Sequence, residues 1–238
     1  LNNVINNNLK RMKKIYKRNW LFELKSLAVM GALLFAGTAA AQLNGTYTID
    51  ASGSGDFTSF TKLSDTLISK GVSGAVTINV VAASGPYSED FYLDEISGAS
   101  STNTITINGN GERIKASSPV IELEGTDFIT FDNLEIQQTG STNGKMFLAY
   151  DDVESVTIND CELIASSGTA YPSYPGYYTS AYIWFGNHNY YYQTPSDETS
   201  DITITNNVLW KGTSSVNSTG KTYGIMISNP TSFTSDQN

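Results

Sequence analysis

The chain has 238 residues, of which 14 are Lys or Arg and 23 are Asp or Glu, so its formal net charge is −9. An acidic surface repels phosphate backbones, which argues against nucleic-acid binding. The single cysteine, Cys161, excludes an intrachain disulfide, so the fold must rest on burial and backbone hydrogen bonds.

Residues 1–41 are predicted to be an upstream tract and a signal peptide. Basic residues between Lys10 and Arg18 precede an apolar run over 27–35, and Ala39-Ala40-Ala41 provides a small-residue cleavage site. The apolar run is shorter than the roughly 18 to 20 residues that span a bilayer. We therefore expect a secreted protein, located extracellularly or on the outer cell surface, with no membrane insertion after cleavage. Cleavage after Ala41 leaves 7 basic and 22 acidic residues, a net charge near −15.

Residues 42–111 are predicted to form an N-terminal cap and the first coil of a solenoid. Phe60, Leu63, Leu67 and Ile68 fall on one face of a helix, which we expect to close the open end of the coil stack. Short strands are predicted at 76–81 and 91–93.

Residues 112–238 are predicted to form further coils, because the segments 128–136, 155–163 and 201–209 repeat one pattern. Each is an alternating strand, a two-residue polar corner and a second alternating strand. The pattern predicts an all-β fold, a right-handed parallel β-helix with an N-terminal capping helix. Because the chain stops at Asn238 soon after a further strand, we expect the β-helix to be C-terminally incomplete. The remaining strand of each coil is predicted at 120–123, 146–150, 182–185 and 223–227.

The corner residues are predicted to have a structural role. Asn and Asp tolerate the left-handed backbone that a sharp corner needs, so Asn133, Asp160 and Asn206 are expected to adopt it and to stack as a polar ladder. Cys161 is expected to face inward, in the register of Leu134 and Val208, as a buried and inert thiol.

The N-terminal part resembles the pectinesterase branch of the right-handed parallel β-helix proteins. The resemblance covers about residues 45–165 and is carried by the Gly-Ser-Gly-Asp-Phe segment that begins at Gly53, the helix after it, Gly85-Pro86-Tyr87 and the segment 105–111. It implies the fold of that family. Lys145 stands where that family has a Gln, the segment after the Cys161 strand lacks the family's Gln and general-acid Asp, and the nucleophilic Asp has no match. The matching positions therefore do not imply esterase activity.

A long insertion at about 166–200 is the main candidate binding region. Ile129 and Val156 are 27 residues apart, whereas Val156 and Ile202 are 46 apart, so the third coil carries extra chain. Aromatic rings with polar tips can stack on sugar faces, or they can pack on each other to anchor a loop. The predicted ligand-binding residues are Tyr171, Tyr174, Tyr177, Tyr178, Trp184, His188, Tyr190, Tyr191 and Tyr192.

Acidic residues collect at the turns, and Asp151, Asp152 and Glu154 are calcium candidates because oxygen ligands at stacked turns suit that ion. A solvated acidic rim is the alternative, since no Asp-x-Asp-x-Asp loop is present. No other cofactor or metal is predicted.

Together these features predict a non-catalytic module that binds polysaccharide or a cell-surface glycan, or mediates adhesion, through the Tyr-rich loops. Two alternatives remain open. The protein could be a carbohydrate-active enzyme, pectinesterase-like or a polysaccharide lyase, whose catalytic residues lie in coils after Asn238, or it could be a passive spacer. An enzyme needs acid and base groups on one face, whereas a spacer would bury the aromatic rings.

Overall fold

The structure is a computed structural model that describes residues 41–117, 119–140, 145–165, 180–186, 199–211, 222–227 and 232–236. Within these residues the chain is almost entirely β, with one helix, α1 (Phe60–Lys70). The predicted sites Tyr171, Tyr174, Tyr177, Tyr178, His188, Tyr190, Tyr191 and Tyr192 lie outside the described residues.

The strands form three sheets, and their bounds follow in chain order within each sheet. Sheet A contains β1 (Leu43–Ile49), β2 (Val72–Val80), β4 (Ile105–Asn108), β7 (Ile129–Asp132), β10 (Val156–Asn159), β13 (Ile202–Thr205) and β16 (Phe233–Asp236). Sheet B contains β5 (Arg113–Ala116), β8 (Glu135–Gln138), β11 (Glu162–Ala165) and β14 (Val208–Lys211). Sheet C contains β3 (Phe91–Leu93), β6 (Ile121–Glu124), β9 (Lys145–Tyr150), β12 (Ser180–Phe185) and β15 (Thr222–Ile227).

All the strand pairs in these sheets are parallel, and from β4 onward the chain visits sheets A, B and C in rotation. Each strand therefore pairs with the strand of the same sheet in the coil before it and in the coil after it. This is the all-β, parallel arrangement that the sequence repeats predict, and it is compatible with a solenoid. The strand β1 was not predicted from the sequence.

Alternate residues of each strand face the interior, which fills it with apolar side chains. In sheet A, Ile105 pairs with Ile129, which pairs with Val156, and all three side chains are fully buried. A chain of phenylalanine rings runs through the core, with centroids 5.2 to 6.2 Å apart. Its members are Phe60, Phe91, Phe131, Phe147 and Phe185. Such contacts make the core specific in shape as well as apolar.

The helix α1 begins at a well-capped N-terminus. The side chain of Ser59 accepts a hydrogen bond from Lys62 N at 3.1 Å. The carboxylate of Glu89 accepts from Phe60 N at 2.9 Å and from Thr61 N at 3.1 Å, so it satisfies two more of the first-turn donors. In the described part of the chain, no helix is long and apolar enough to cross a membrane.

The corners between sheets A and B have the left-handed backbone that their residue types favour. Asn133, Asp160 and Asn206 have φ of 50°, 52° and 58°. Their amides bond across coils, for example Asn133 N to Asn159 O at 3.1 Å.

The side-chain ladder lies one residue earlier than predicted, at the last position of each sheet A strand. Asn159 Nδ2 donates to Asp132 Oδ1 at 2.7 Å, and Thr205 Oγ1 donates to Asn159 Oδ1 at 2.9 Å. These residues lie in register in neighbouring strands, so their side chains meet directly, whereas the predicted ladder residues lie in the turn itself. Asn206 contributes by donating to Asn159 Oδ1 at 3.0 Å.

The predicted alignment of Cys161 with Val208 is wrong. Cys161 is buried, at 1% exposure, but Val208 is 56% exposed and pairs with Glu162 in sheet B. The inward position next to Cys161 is held by Asn207, which is 2% exposed. Its amide accepts from Cys161 N and donates to Ile158 O, both at 2.9 Å, so a polar residue is satisfied inside the corner.

Candidate functional site on the outward face of sheet C

The strand β12 locates the candidate site, because the Tyr-rich insertion lies on both sides of it in the sequence. This strand belongs to sheet C, between β9 and β15. The candidate site is therefore the outward face of sheet C, hereafter the C face. It is defined by Tyr92, Glu122, Glu124, Lys145, Leu148, Tyr150 and Trp184.

Two carboxylates lie side by side on this face. In β6 the side chains of Ile121 and Leu123 are fully buried, so the alternation of the strand turns Glu122 and Glu124 outward. In the neighbouring strand β9, Tyr150 pairs with Glu124. This pair was not predicted from the sequence, although the alternation of Glu with apolar residues in the predicted strand at 120–123 is a signal for it.

The hydroxyls of two tyrosines hold these carboxylates. Tyr92 Oη donates to Glu124 Oε2 at 2.7 Å. Tyr150 Oη lies 3.0 Å from Glu122 Oε1 and 3.1 Å from Glu124 Oε2. A phenol has one hydrogen and can serve one carboxylate at a time, so the two glutamates still have capacity to accept hydrogen bonds from a ligand.

Both phenols remain protonated donors. The hydrogen bond to Glu124 raises the pKa of Tyr92 above its ordinary value, and burial and the charges of Glu124, Asp94 and Glu122 raise it further. Burial raises the pKa of Tyr150, and its hydrogen bond to Glu122 adds to the effect. The tyrosines therefore act here as fixed donors and aromatic surfaces, not as bases.

A small apolar cluster lies beside the carboxylates. Trp184 packs with Leu148 and Ala181 in a cluster separate from the main core, and Trp184 is 3% exposed. The Lys145 ammonium lies 4.2 Å from the centroid of the Trp184 ring, as in a cation–π contact. Burial lowers the pKa of Lys145, and the charge of Glu122 opposes that change.

The burial of Trp184 differs from the exposed ring that the sequence predicted. Strand alternation turns its side chain to the same face as Leu148, with which it pairs, and the two side chains bury each other. Its indole Nε1 is buried and has no hydrogen-bond partner among the residues that the structure describes.

The calcium candidates follow the ends of the sheet C strands. Asp151 and Asp152 are exposed, with φ of 68° and 59°, and Glu154 is half-buried. The backbone N of Glu154 donates to Asp127 Oδ1 at 2.7 Å, and burial raises the pKa of Asp127 despite that bond. Within the described ranges no group of three or more His, Cys, Asp or Glu side chains is arranged to hold a metal ion.

The arrangement on the C face suits recognition of a polar, hydroxyl-bearing ligand. It offers carboxylate acceptors and partly exposed phenol rings within one sheet face, a combination that can fix orientation by hydrogen bonds and gain area by ring stacking. Comparisons with protein-family models, with curated proteins and with solved structures find no match to this chain.

Proposed function

We propose that this chain is a secreted or cell-surface module that binds a polysaccharide on its C face, and that it does so without catalysis. In this proposal the coils form a right-handed β-helix, as parallel crossover connections almost always do. The proposal rests on the hydrogen bonds between the hydroxyls of Tyr92 and Tyr150 and the carboxylates of Glu122 and Glu124.

The network supports binding because its polar atoms are held in place before a ligand arrives. Tyrosine side chains lose little conformational entropy on binding, and the hydrogen bonds to Glu122 and Glu124 fix both rings and carboxylates. The four side chains are partly exposed, so they remain accessible at the face. The predicted Tyr-rich insertion includes β12 of this sheet, and in this proposal its tyrosines extend the binding surface.

The proposal includes a capping role for α1. The helix packs on β3, and the Ser64 hydroxyl donates to Tyr92 O in that strand. Because β3 is an edge strand of sheet C, a helix that covers it would protect the edge from pairing with another chain.

Glycan-array binding by the full chain tests the binding proposal. We expect the parent to bind at least one polysaccharide, and Tyr92→Phe with Tyr150→Phe to weaken binding, because both hydroxyls that position the carboxylates are removed. Tyr47→Phe is the matched control, since it removes a phenol hydroxyl from β1 that bonds only locally to Asn44. A folded parent that binds no glycan would refute the proposal.

A second candidate function is hydrolysis of a glycosidic bond. Glu122 and Glu124 both lie within hydrogen-bond distance of Tyr150 Oη, and glycosidases use two such carboxylates as acid and as base or nucleophile. Release of reducing ends from a polysaccharide by the parent, abolished in Glu124→Gln, would favour this candidate over plain binding.

A further inference from the structure

We propose that the outward face of sheet A, hereafter the A face, binds ice. This face is separate from the C face, so the inference goes beyond the proposed function. Sheet A has seven strands, and each of them places a threonine at the same register position. This threonine column consists of Thr46, Thr77, Thr106, Thr130, Thr157, Thr203 and Thr234.

The threonine column faces outward because the residues on both sides of each central threonine are buried. Thr130 lies between Ile129 and Phe131, which are fully buried, so strand alternation turns its side chain to the outside. The side chain of Thr130 is itself partly exposed. From β2 to β16 the parallel pairs keep this register, so the column continues from strand to strand.

The hydroxyls of the threonine column are available to an external partner. None of them has a side-chain hydrogen bond within the part of the chain that the structure describes. Each hydroxyl therefore keeps one donor and its acceptor positions for a partner. Threonine is branched at Cβ and has few rotamers in a strand, so these side chains lose little entropy on binding. The methyl groups add apolar area beside the hydroxyls.

A second polar column runs parallel to the first, two residues further along each strand. Asn108 Nδ2 donates to Asn79 Oδ1 at 3.3 Å, and Asn159 Nδ2 donates to Asp132 Oδ1 at 2.7 Å. Thr205 Oγ1 donates to Asn159 Oδ1 at 2.9 Å. These bonds between neighbouring coils fix the second column, so the A face carries two ordered rows of polar groups.

The spacing of the two columns suits a crystalline water lattice. Neighbouring strands lie about 4.8 Å apart, and residues two positions apart in a parallel strand are separated by about 6.6 Å. Both repeats are close to those of the oxygen array on the prism plane of hexagonal ice. Water oxygens at these positions can bond to consecutive threonine hydroxyls while the methyl groups contact the lattice between them.

The chemistry of the threonine column favours ice over a charged polymer or a sugar. The column carries no charge, although the whole chain has a formal net charge of −9, so it fits a neutral partner. A sugar ring is usually held by an aromatic platform, which this column does not offer. A regular array of hydroxyl and methyl groups matches a partner that repeats in two dimensions, and ice is such a partner.

The test measures thermal hysteresis, the gap between the melting and freezing temperatures of a single ice crystal, in a solution of the full chain. We expect the parent to produce hysteresis and to give the crystal facets. Thr130→Lys with Thr157→Lys should remove most of the hysteresis, because two strongly hydrated ammonium groups would hold the face away from the lattice. Thr102→Lys with Thr139→Lys is the matched control: it makes the same change at two exposed threonines outside sheet A and should leave hysteresis unchanged.

A second variant keeps the test decisive if the lysine variant fails to fold. Thr130→Val with Thr157→Val keeps the strand propensity and the methyl groups and removes two hydroxyls. It should fold, as checked by circular dichroism, and its hysteresis should be lower than that of the parent.

The outcomes separate this inference from the proposed function. Absence of hysteresis and of facets with a folded parent would overturn the inference, whatever the parent binds on a glycan array. Hysteresis that persists in the folded lysine variant, or that falls equally in the control, would overturn the assignment to the A face. Binding of the parent to crystalline cellulose without hysteresis, lost in the lysine variant, would make a glycan the occupant of this face and would also overturn the inference.

Discussion

Replacing Phe131 by Ala should destabilise the fold strongly, because this ring joins the two halves of the aromatic core. Phe131 is 0% exposed, and its centroid lies 6.2 Å from that of Phe91 and 5.2 Å from that of Phe147. A buried Phe→Ala change costs about 3 to 5 kcal/mol of unfolding free energy, from lost transfer energy and from the cavity left behind. Phe131→Leu keeps most of the volume and should cost about 1 to 2 kcal/mol, since it loses mainly the two ring contacts.

Urea unfolding followed by circular dichroism measures this change through the midpoint and the slope. Phe233→Ala is the control: Phe233 is 42% exposed on β16, and its removal should cost less than about 1 kcal/mol. A loss below about 1 kcal/mol in Phe131→Ala would refute the claim that the phenylalanine chain is a continuous, close-packed core.

Three further predictions test local features. Glu89→Ala should lower the unfolding free energy by about 1 to 2 kcal/mol in the same urea assay, because it removes the acceptor for two α1 amides; no loss would contradict the capping role. Burial raises the pKa of the Cys161 thiol to about 12. A thiol reagent at neutral pH should therefore modify Cys161 slowly in the native protein and quickly in urea. Equal rates of modification would count against burial of this thiol. Because burial raises the pKa of Asp127, ionisation of this carboxyl lowers the stability of the folded state as pH rises. Asp127→Asn should therefore be as stable as the parent, or more stable, near pH 7, since its amide oxygen can still accept from Glu154 N. A large loss of stability would show that the charge itself is needed.

Local patterns in the sequence predicted the repeating elements well. The alternation Ile129, Phe131 and Val156, Ile158 marks strands that are buried on one side, and these strands are β7 and β10 of sheet A. The spacing of Phe60, Leu63 and Leu67 indicated α1, and all three side chains are buried. Such features depend on neighbours within about one turn or strand, so they are visible without tertiary information.

Register between coils was harder to predict, because one residue of offset exchanges the two faces of a strand. Val208 was aligned with inward positions, but it pairs with Glu162 and is exposed, while Asn207 takes the inward place. The side-chain ladder was likewise placed at the corners, although Asp132 and Asn159 form it one residue earlier. The repeats alone show that strands stack, whereas the hydrogen-bonded pairing decides which side chains meet.

For the candidate site, sequence reasoning drew attention to β12 through its tyrosine-rich surroundings. It did not find the C face, because Tyr92, Glu122 and Tyr150 are 28 to 30 residues apart in sequence and become neighbours only through parallel pairing. No short motif contains them, and an isolated Glu in a strand has no distinguishing pattern.

The sequence by itself determined the fold class of this protein: an all-β chain of repeated parallel strands with an early helix, because hydrophobic period and corner chemistry are local properties. Only the tertiary structure decided which residues share a face. Stacking brings Glu122 and Glu124 next to Tyr92 and Tyr150, and it buries Trp184 against Leu148. Contacts across coils depend on register and on strand direction, which are set by the packing of the whole stack and not by any one segment.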